Sequence, residues 1–233
     1  MQIDINNVLG DDIGHIQLLD CMGNDLSIIN NARVSYAKFS AWFKNEDEKL
    51  LKYLIKHKHW SPFRSVILQY RVKAPLFLVN QWKKHIIAST YIDDQIQQNQ
   101  ESFRYLDLSN SLEFYKPRAF RGQHSKNKQA SKEDFTLNQK QLSSFYNDSL
   151  EKSKEVYCEL ILRGVCREQA RAVLPNATYT SFICTQSLQA AIHLVKLRQA
   201  TDAQSEFNAY ATELDKMIKC VAPITHRLWN EKA

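Results

Sequence analysis

A chain of 233 residues with 44% hydrophobic and 11% aromatic content has apolar material for a sizeable core, in one large domain or two small ones, and is not disordered. Its net charge of +6 points to phosphate-bearing partners without distinguishing a polymer from a small molecule. No apolar run approaches the ~20 residues of a membrane span and no basic-then-apolar signal peptide is present, so a cytoplasmic location is expected.

In chain order, His15 to Leu19 reads as a short strand, and Asp25 as the cap of a helix through Ile28, Ile29 and Ala32. Asn45 with Glu48 has the pattern of a capping box, ahead of a helix whose apolar face is Leu50, Leu51, Leu54 and Ile55. After the Ser61-Pro62 turn, Val66, Leu68, Tyr70 and Val72 alternate with Gln69 and Arg71, the period of a strand with unequal faces. Pro75 fits the first position of the next helix, where its missing amide hydrogen costs nothing. Gln81, Lys84 and His85 then fall three and four apart, so one helix face offers an amide, a cation and an imidazole to an anionic, ring-bearing ligand.

Residues 90 to 130 are polar and read as a long functional loop, in which Lys116, Arg118, Arg121, His124, Lys126 and Lys128 crowd beside Tyr115 and Phe120. No helix-turn-helix, zinc finger or RNA-binding signature accompanies them. Glu133 to Leu162 carries helical periodicity, as one long helix or two consecutive ones. A helical turn presents Arg167 and Arg171 before Pro175, and Thr178 to Cys184 is β-rich. A helix runs from Ser187 to Arg198, and Thr201 with Gln204 opens another through Phe207, Tyr210, Leu214 and Ile218.

Cys21, Cys158, Cys166, Cys184 and Cys220 show no CxxC or Cys/His ligand spacing and read as reduced, mostly buried thiols; no metal site is expected. With five glycines and no GxGxxG or P-loop, a phosphate is expected to be held by side-chain cations, for which the arginine fork is suited.

Several short segments, together and in order, resemble the flavin-dependent thymidylate synthase family over nearly the whole chain. They are Ala32-Arg33-Val34-Ser35, His59-Trp60-Ser61-Pro62-Phe63, Gln81-Trp82, the cluster Asn99, Ser102, Arg104 and Tyr105, then Phe114-Tyr115, Ala170-Arg171, Leu174-Pro175, Leu197-Arg198 and Ala203-Gln204. The resemblance implies a single α+β domain over residues 1–233, with a central, mostly antiparallel sheet flanked by helices. It also implies a homotetramer whose active sites draw on several subunits. It places the basic loop near the active site, so no nucleic-acid or membrane partner is expected.

In that family a methylene group passes from methylenetetrahydrofolate to carbon 5 of dUMP, a hydride completes dTMP, and NADPH regenerates the flavin, FAD. The resemblance implies substrate contacts from Gln81, Lys84, Gln100, Ser102, Arg104, Arg171 and Arg198, with Gln100 where the family usually has Glu. Arg198 is the catalytic candidate, as the cation at the pyrimidine carbonyl. Cofactor contacts are implied for Ser35, His59, Ser61, His85 and Asn99.

The flavin side departs from the family. Its Arg-His-Arg motif reads Lys84-His85-Ile86, and after Ser89 about eight extra residues precede Asn99. Arg64 replaces Glu, and Ser187, Gln189, His193 and Asp202 replace Asn, Arg, Asn and His. Three readings follow: the family reaction, flavin-independent hydroxymethylation of dUMP or dCMP by folate on the same fold, and a non-catalytic nucleotide-binding protein.

Overall fold

Alternation along Ile67–Pro75 (β3) and Tyr179–Ser187 (β7) places Leu68, Tyr70, Val72, Phe182 and Cys184 on one buried face, while Gln69, Arg71 and Ile183 point the other way. These two strands pair antiparallel from Ile67↔Ser187 to Pro75↔Tyr179 and form the middle of the sheet. The computed structural model describes residues 3–85, 97–132 and 137–231. Ile3–Asn6 (β1) and His15–Met22 (β2) extend the sheet on one side and Gln97–Gln100 (β4) on the other, in the order β1-β2-β3-β7-β4, every pair antiparallel. The short strands Gly122–Gln123 (β5) and Ser131–Lys132 (β6) form a separate hairpin.

The buried sheet face is covered by helices, chiefly Leu188–Arg198 (α6) and Ser205–Val221 (α7). Asp25–Arg33 (α1), Asn45–Lys56 (α2) and Pro223–Asn230 (α8) close the same core, with Ile28, Ile29, Leu51, Leu54 and Leu228 buried in it. Gln139–Leu162 (α4) and Arg167–Ala170 (α5) enclose a second, smaller cluster of Phe103, Leu108, Tyr157 and Ala170.

Leu76–Trp82 (α3) is the element that matters most for the site. Its last residue, Trp82, is fully buried among Tyr70, Phe182, Phe207 and Tyr210, with ring centroids 5.1–6.1 Å away and its indole N–H donating to Tyr70 Oη at 3.2 Å. Burying an aromatic this completely stabilises by roughly 2–3 kcal/mol and fixes the direction of the residues beside it.

Several expectations require correction. Pro75 ends β3 and caps α3 rather than opening it, and α3 stops at Trp82, so Lys84 and His85 lie in the following turn rather than on a common helix face with Gln81. The cap of α1 is Asn24, whose side chain accepts from Leu26 and Ser27; Asp25 is inside the helix and bonds elsewhere. At α2 it is Asp47, not Glu48, that reaches back to the Lys44 N–H at 2.7 Å. Gln204 is itself the N-cap of α7, without a side-chain cap bond. Cys21, Cys166 and Cys220 are exposed and Cys158 is half-buried, leaving only Cys184 buried.

The long polar stretch contains β4, and α4 is one continuous helix from Gln139. Glu133, the expected start of that helix, lies outside the described residues, as do Ile86 and Ser89.

Candidate active site

Where α3 ends, Lys84 N–H bonds back to Gln81 O at 3.1 Å and His85 N–H to Trp82 O at 3.0 Å, a tightening that turns consecutive side chains in different directions. Gln81 Nε2 donates to Gln204 Oε1 at 2.5 Å, tying α3 to the start of α7. Lys83 Nζ donates to Gln100 Oε1 on β4 at 2.7 Å, and Gln100 Nε2 reaches Thr180 Oγ1 on β7 at 3.4 Å. Lys84 is exposed and makes neither contact.

His85 is 6% exposed and its Nε2 accepts from Arg198 Nε at 2.9 Å, which requires a neutral imidazole. Burial, then the charge of Arg198 and that of His193, hold its pKa down to about 4, so it is neutral at pH 7. The Arg198 guanidinium also lies over the Phe207 ring, 4.7 Å from its centroid. Burial lowers its pKa from the ordinary value, yet arginine remains protonated at neutral pH. With Nε engaged by His85, its two terminal nitrogens have no hydrogen-bond partner among the described residues.

Ser102, Arg104 and Arg171 gather about the second core. Phe103 is buried in the same cluster as Ala170, which places the segment 102–105 and the turn carrying Arg171 on one wall. Ser102 Oγ accepts from Arg104 N–H at 3.4 Å, and Arg104 lies 5.3 Å over the Tyr105 ring. A cavity of about 520 Å³ opens here between Arg104, Tyr105, Arg167 and Glu168.

On the flavin side, Ser35 sits in the 3-10 turn Val34–Tyr36 and is exposed; the neighbouring Arg33 anchors that turn through a 2.5 Å ion pair with buried Asp47. His59 and Ser61 are exposed just before and at the start of the 3-10 turn Ser61–Ser65, which packs on α6. Arg64 Nε donates to Gln189 Oε1 at 2.8 Å, so the two positions where the resemblance gives Glu and Arg still touch, with the cation now on the other partner. A guanidinium, hydroxyls, an imidazole and the positive end of α6 suit the diphosphate of a flavin nucleotide. Asn99 is exposed on the sheet face opposite Gln100, and His85 contacts Arg198.

Gln204, Lys83, Phe207 and Thr180 join the site without having been expected there. Ala203-Gln204 is a recognisable segment, whereas Phe207 has the spacing of an ordinary core position and Lys83 differs from Lys84 only through where the helix stops. The basic loop is tied to α7 as well: Arg121 Nη2 donates to both carboxylate oxygens of Glu206 at 2.8 and 2.9 Å, and Tyr115 Oη donates to the same carboxylate at 2.8 Å. Burial pushes the Glu206 pKa up, but these bonds outweigh it and the carboxyl sits below its ordinary value.

Residues 17–224 match the family described as thymidylate synthase complementing protein. A flavin-dependent thymidylate synthase of Thermus thermophilus is 39% identical over 220 residues, 94% of this chain and 77% of that one. That of Thermosipho melanesiensis is 36% identical over 216 residues, 92% and 89% of the two chains. A solved structure of the UMP/dUMP methylase PolB from Streptomyces cacaoi, bound with 5-Br dUMP, superposes with a TM-score of 0.79 at 26% identity, covering 94% of this chain and 95% of that one. The chain therefore belongs to the thymidylate synthase complementing protein family, the flavin-dependent thymidylate synthases.

Proposed function

We propose that this protein methylates carbon 5 of dUMP to give dTMP, taking the one-carbon unit from methylenetetrahydrofolate, with FAD and NADPH as cofactors. The observation that carries the reading is Arg198: a charged guanidinium seated between neutral His85 and the Phe207 ring, with its terminal nitrogens unspent on described protein groups. Such a cation at a pyrimidine carbonyl stabilises the negative charge that builds up as carbon 5 becomes nucleophilic, and its fixed position costs no reorganisation at that moment. Gln81 and Gln100 can each present an amide donor or acceptor to the edge of the ring. Arg104 and Arg171, with Ser102, neutralise and hydrogen-bond the phosphate.

Ser35, His59, Ser61 and Arg64 would hold the flavin nucleotide, and His85 acts by orienting Arg198. When bound and reduced by NADPH, FAD supplies the reducing equivalents that turn the transferred methylene group into methyl. The family resemblance supports assembly as a homotetramer in which one site draws on more than one subunit.

The test is the mass of the nucleotide after incubation of purified protein with dUMP and methylenetetrahydrofolate, with and without FAD and NADPH. A methyl increment that requires both is expected. A hydroxymethyl increment independent of them would replace the reading with a flavin-free reaction, and absence of product would leave nucleotide binding alone.

A further inference from the structure

Beside the flavin-side residues lies a cavity of about 770 Å³ between α2, α6 and α8, within the size range of ligand sites. Five lysines line it: Lys49, Lys52 and Lys56 from α2, Lys58 from the turn that follows, and Lys196 from α6. Its other walls are Tyr53, Ile55, Trp60 and Trp229, and none of the lining residues is acidic. Glu48 on α2 and Glu231 just after α8 both pair with Arg227, at 2.9 and 3.0 Å.

One of the flavin-side residues borders the cavity. His59 stands between Lys58 and Trp60, and its ring is 5.8 Å from that of Tyr53, edge to face. Trp60 and Trp229 lie 5.1 Å apart, with Lys196 5.5 Å over the Trp229 ring. Aromatic walls ringed by ammonium groups select a ligand with a flat ring and a chain of negative charges.

We propose that this cavity is the subsite for the γ-linked glutamate chain of the folate cosubstrate, the lysines pairing with its carboxylates and the p-aminobenzoyl ring packing beside the paired tryptophans. The occupant follows from chemistry: the anionic end of a folate is remote from its reacting pterin, so a site for it belongs beside the reaction centre. Ammonium groups on flexible stems suit carboxylates that are spaced along a chain and not held in one plane. The proposal rests on the folate-using reading above, and the experiment separates the two.

The KM for methylenetetrahydrofolate is measured with one glutamate and with five, for the native protein, for Lys56→Gln/Lys58→Gln/Lys196→Gln, and for the charge-matched control Lys132→Gln/Lys140→Gln/Lys219→Gln. The readout is the ratio of the two KM values within each protein, so a general loss of active enzyme cancels. The native protein and the control should favour the pentaglutamate by about tenfold or more, an advantage that shrinks with added salt, and the cavity variant should bring the ratio close to one. A native ratio near one, an unchanged ratio in the cavity variant, or an equal loss in both triple variants overturns the subsite. If no folate supports turnover, calorimetry of folic acid against its pentaglutamate decides: tighter pentaglutamate binding lost in the cavity variant keeps the subsite while the methylation reading falls, and equal binding removes both.

Discussion

His85 and Arg198 form a hydrogen-bonded pair that depends on protonation, because the imidazole can accept from Nε only while it carries no proton there. Replacing Arg198 by Ala should lower kcat by roughly 10²- to 10³-fold, the size of loss usual for one group that stabilises developing charge. Lys at that position should restore little, since an ammonium reaches neither His85 nor the ring edge with a fork. The expected order in a steady-state assay is native, then Lys, then Ala, and a Lys variant of native activity would remove the geometric role. His85 adds a pH signature. Its folded pKa of about 4 lies below the ordinary 6.5, so its contribution to stability is complete above about pH 6.5 and is lost as the pH falls through about 4. His85→Gln, which keeps an acceptor for Arg198 but cannot titrate, should lose less of its urea midpoint between pH 7 and 4.5 than the native protein. Parallel losses in the two proteins would mean that His85 does not carry the acid sensitivity.

At the scale of the element, the two ends of the chain are locked by one buried carboxylate. Asp25 on α1 accepts from the N–H groups of Ile224 and Thr225 at 3.0 and 2.9 Å and from Thr225 Oγ1 at 2.6 Å, placing a negative charge at the start of α8. Asp25→Ala strands those donors in a buried setting and should cost about 2–4 kcal/mol, seen as a lower denaturation midpoint at fixed protein concentration. A loss below about 1 kcal/mol would show that water replaces the carboxylate. Elements with a strong side-chain period, α6 and β3 above all, are legible in the sequence because their buried faces repeat at 3.6 and 2 residues. β4 is not, since Gln97-Gln98-Asn99-Gln100 has little strand propensity and is held by its backbone ladder with β7. The end of α3 is equally hidden: the sequence continues with lysines that suit a helix, and tertiary packing of Trp82 decides where the helix stops. That one shift brings Lys83, rather than Lys84, to Gln100.

At the scale of the whole molecule, the residues proposed to face the substrate fall in two groups. Gln81 and His85 stand at the end of α3, Gln100 on β4 and Arg198 at the end of α6, whereas Arg104 and Arg171 lie beside the smaller core that α4 and α5 enclose. A symmetric oligomer brings such surfaces together by placing the second group of one subunit against the first group of another, since each subunit interface presents the same residues repeatedly. This arrangement makes a quantitative prediction about two damaged proteins. Arg198→Ala and Arg104→Ala should each be nearly inactive alone. Subunits of the two variants mixed in equal amounts and assembled at random leave about one site in four with both arginines intact, if those arginines come from different chains. Co-expressed variants should therefore regain about a quarter of native activity, with native KM for dUMP in the restored sites. If both arginines belonged to the same chain, every site would lack one of them whatever the mixture, and activity would stay at the level of the single variants.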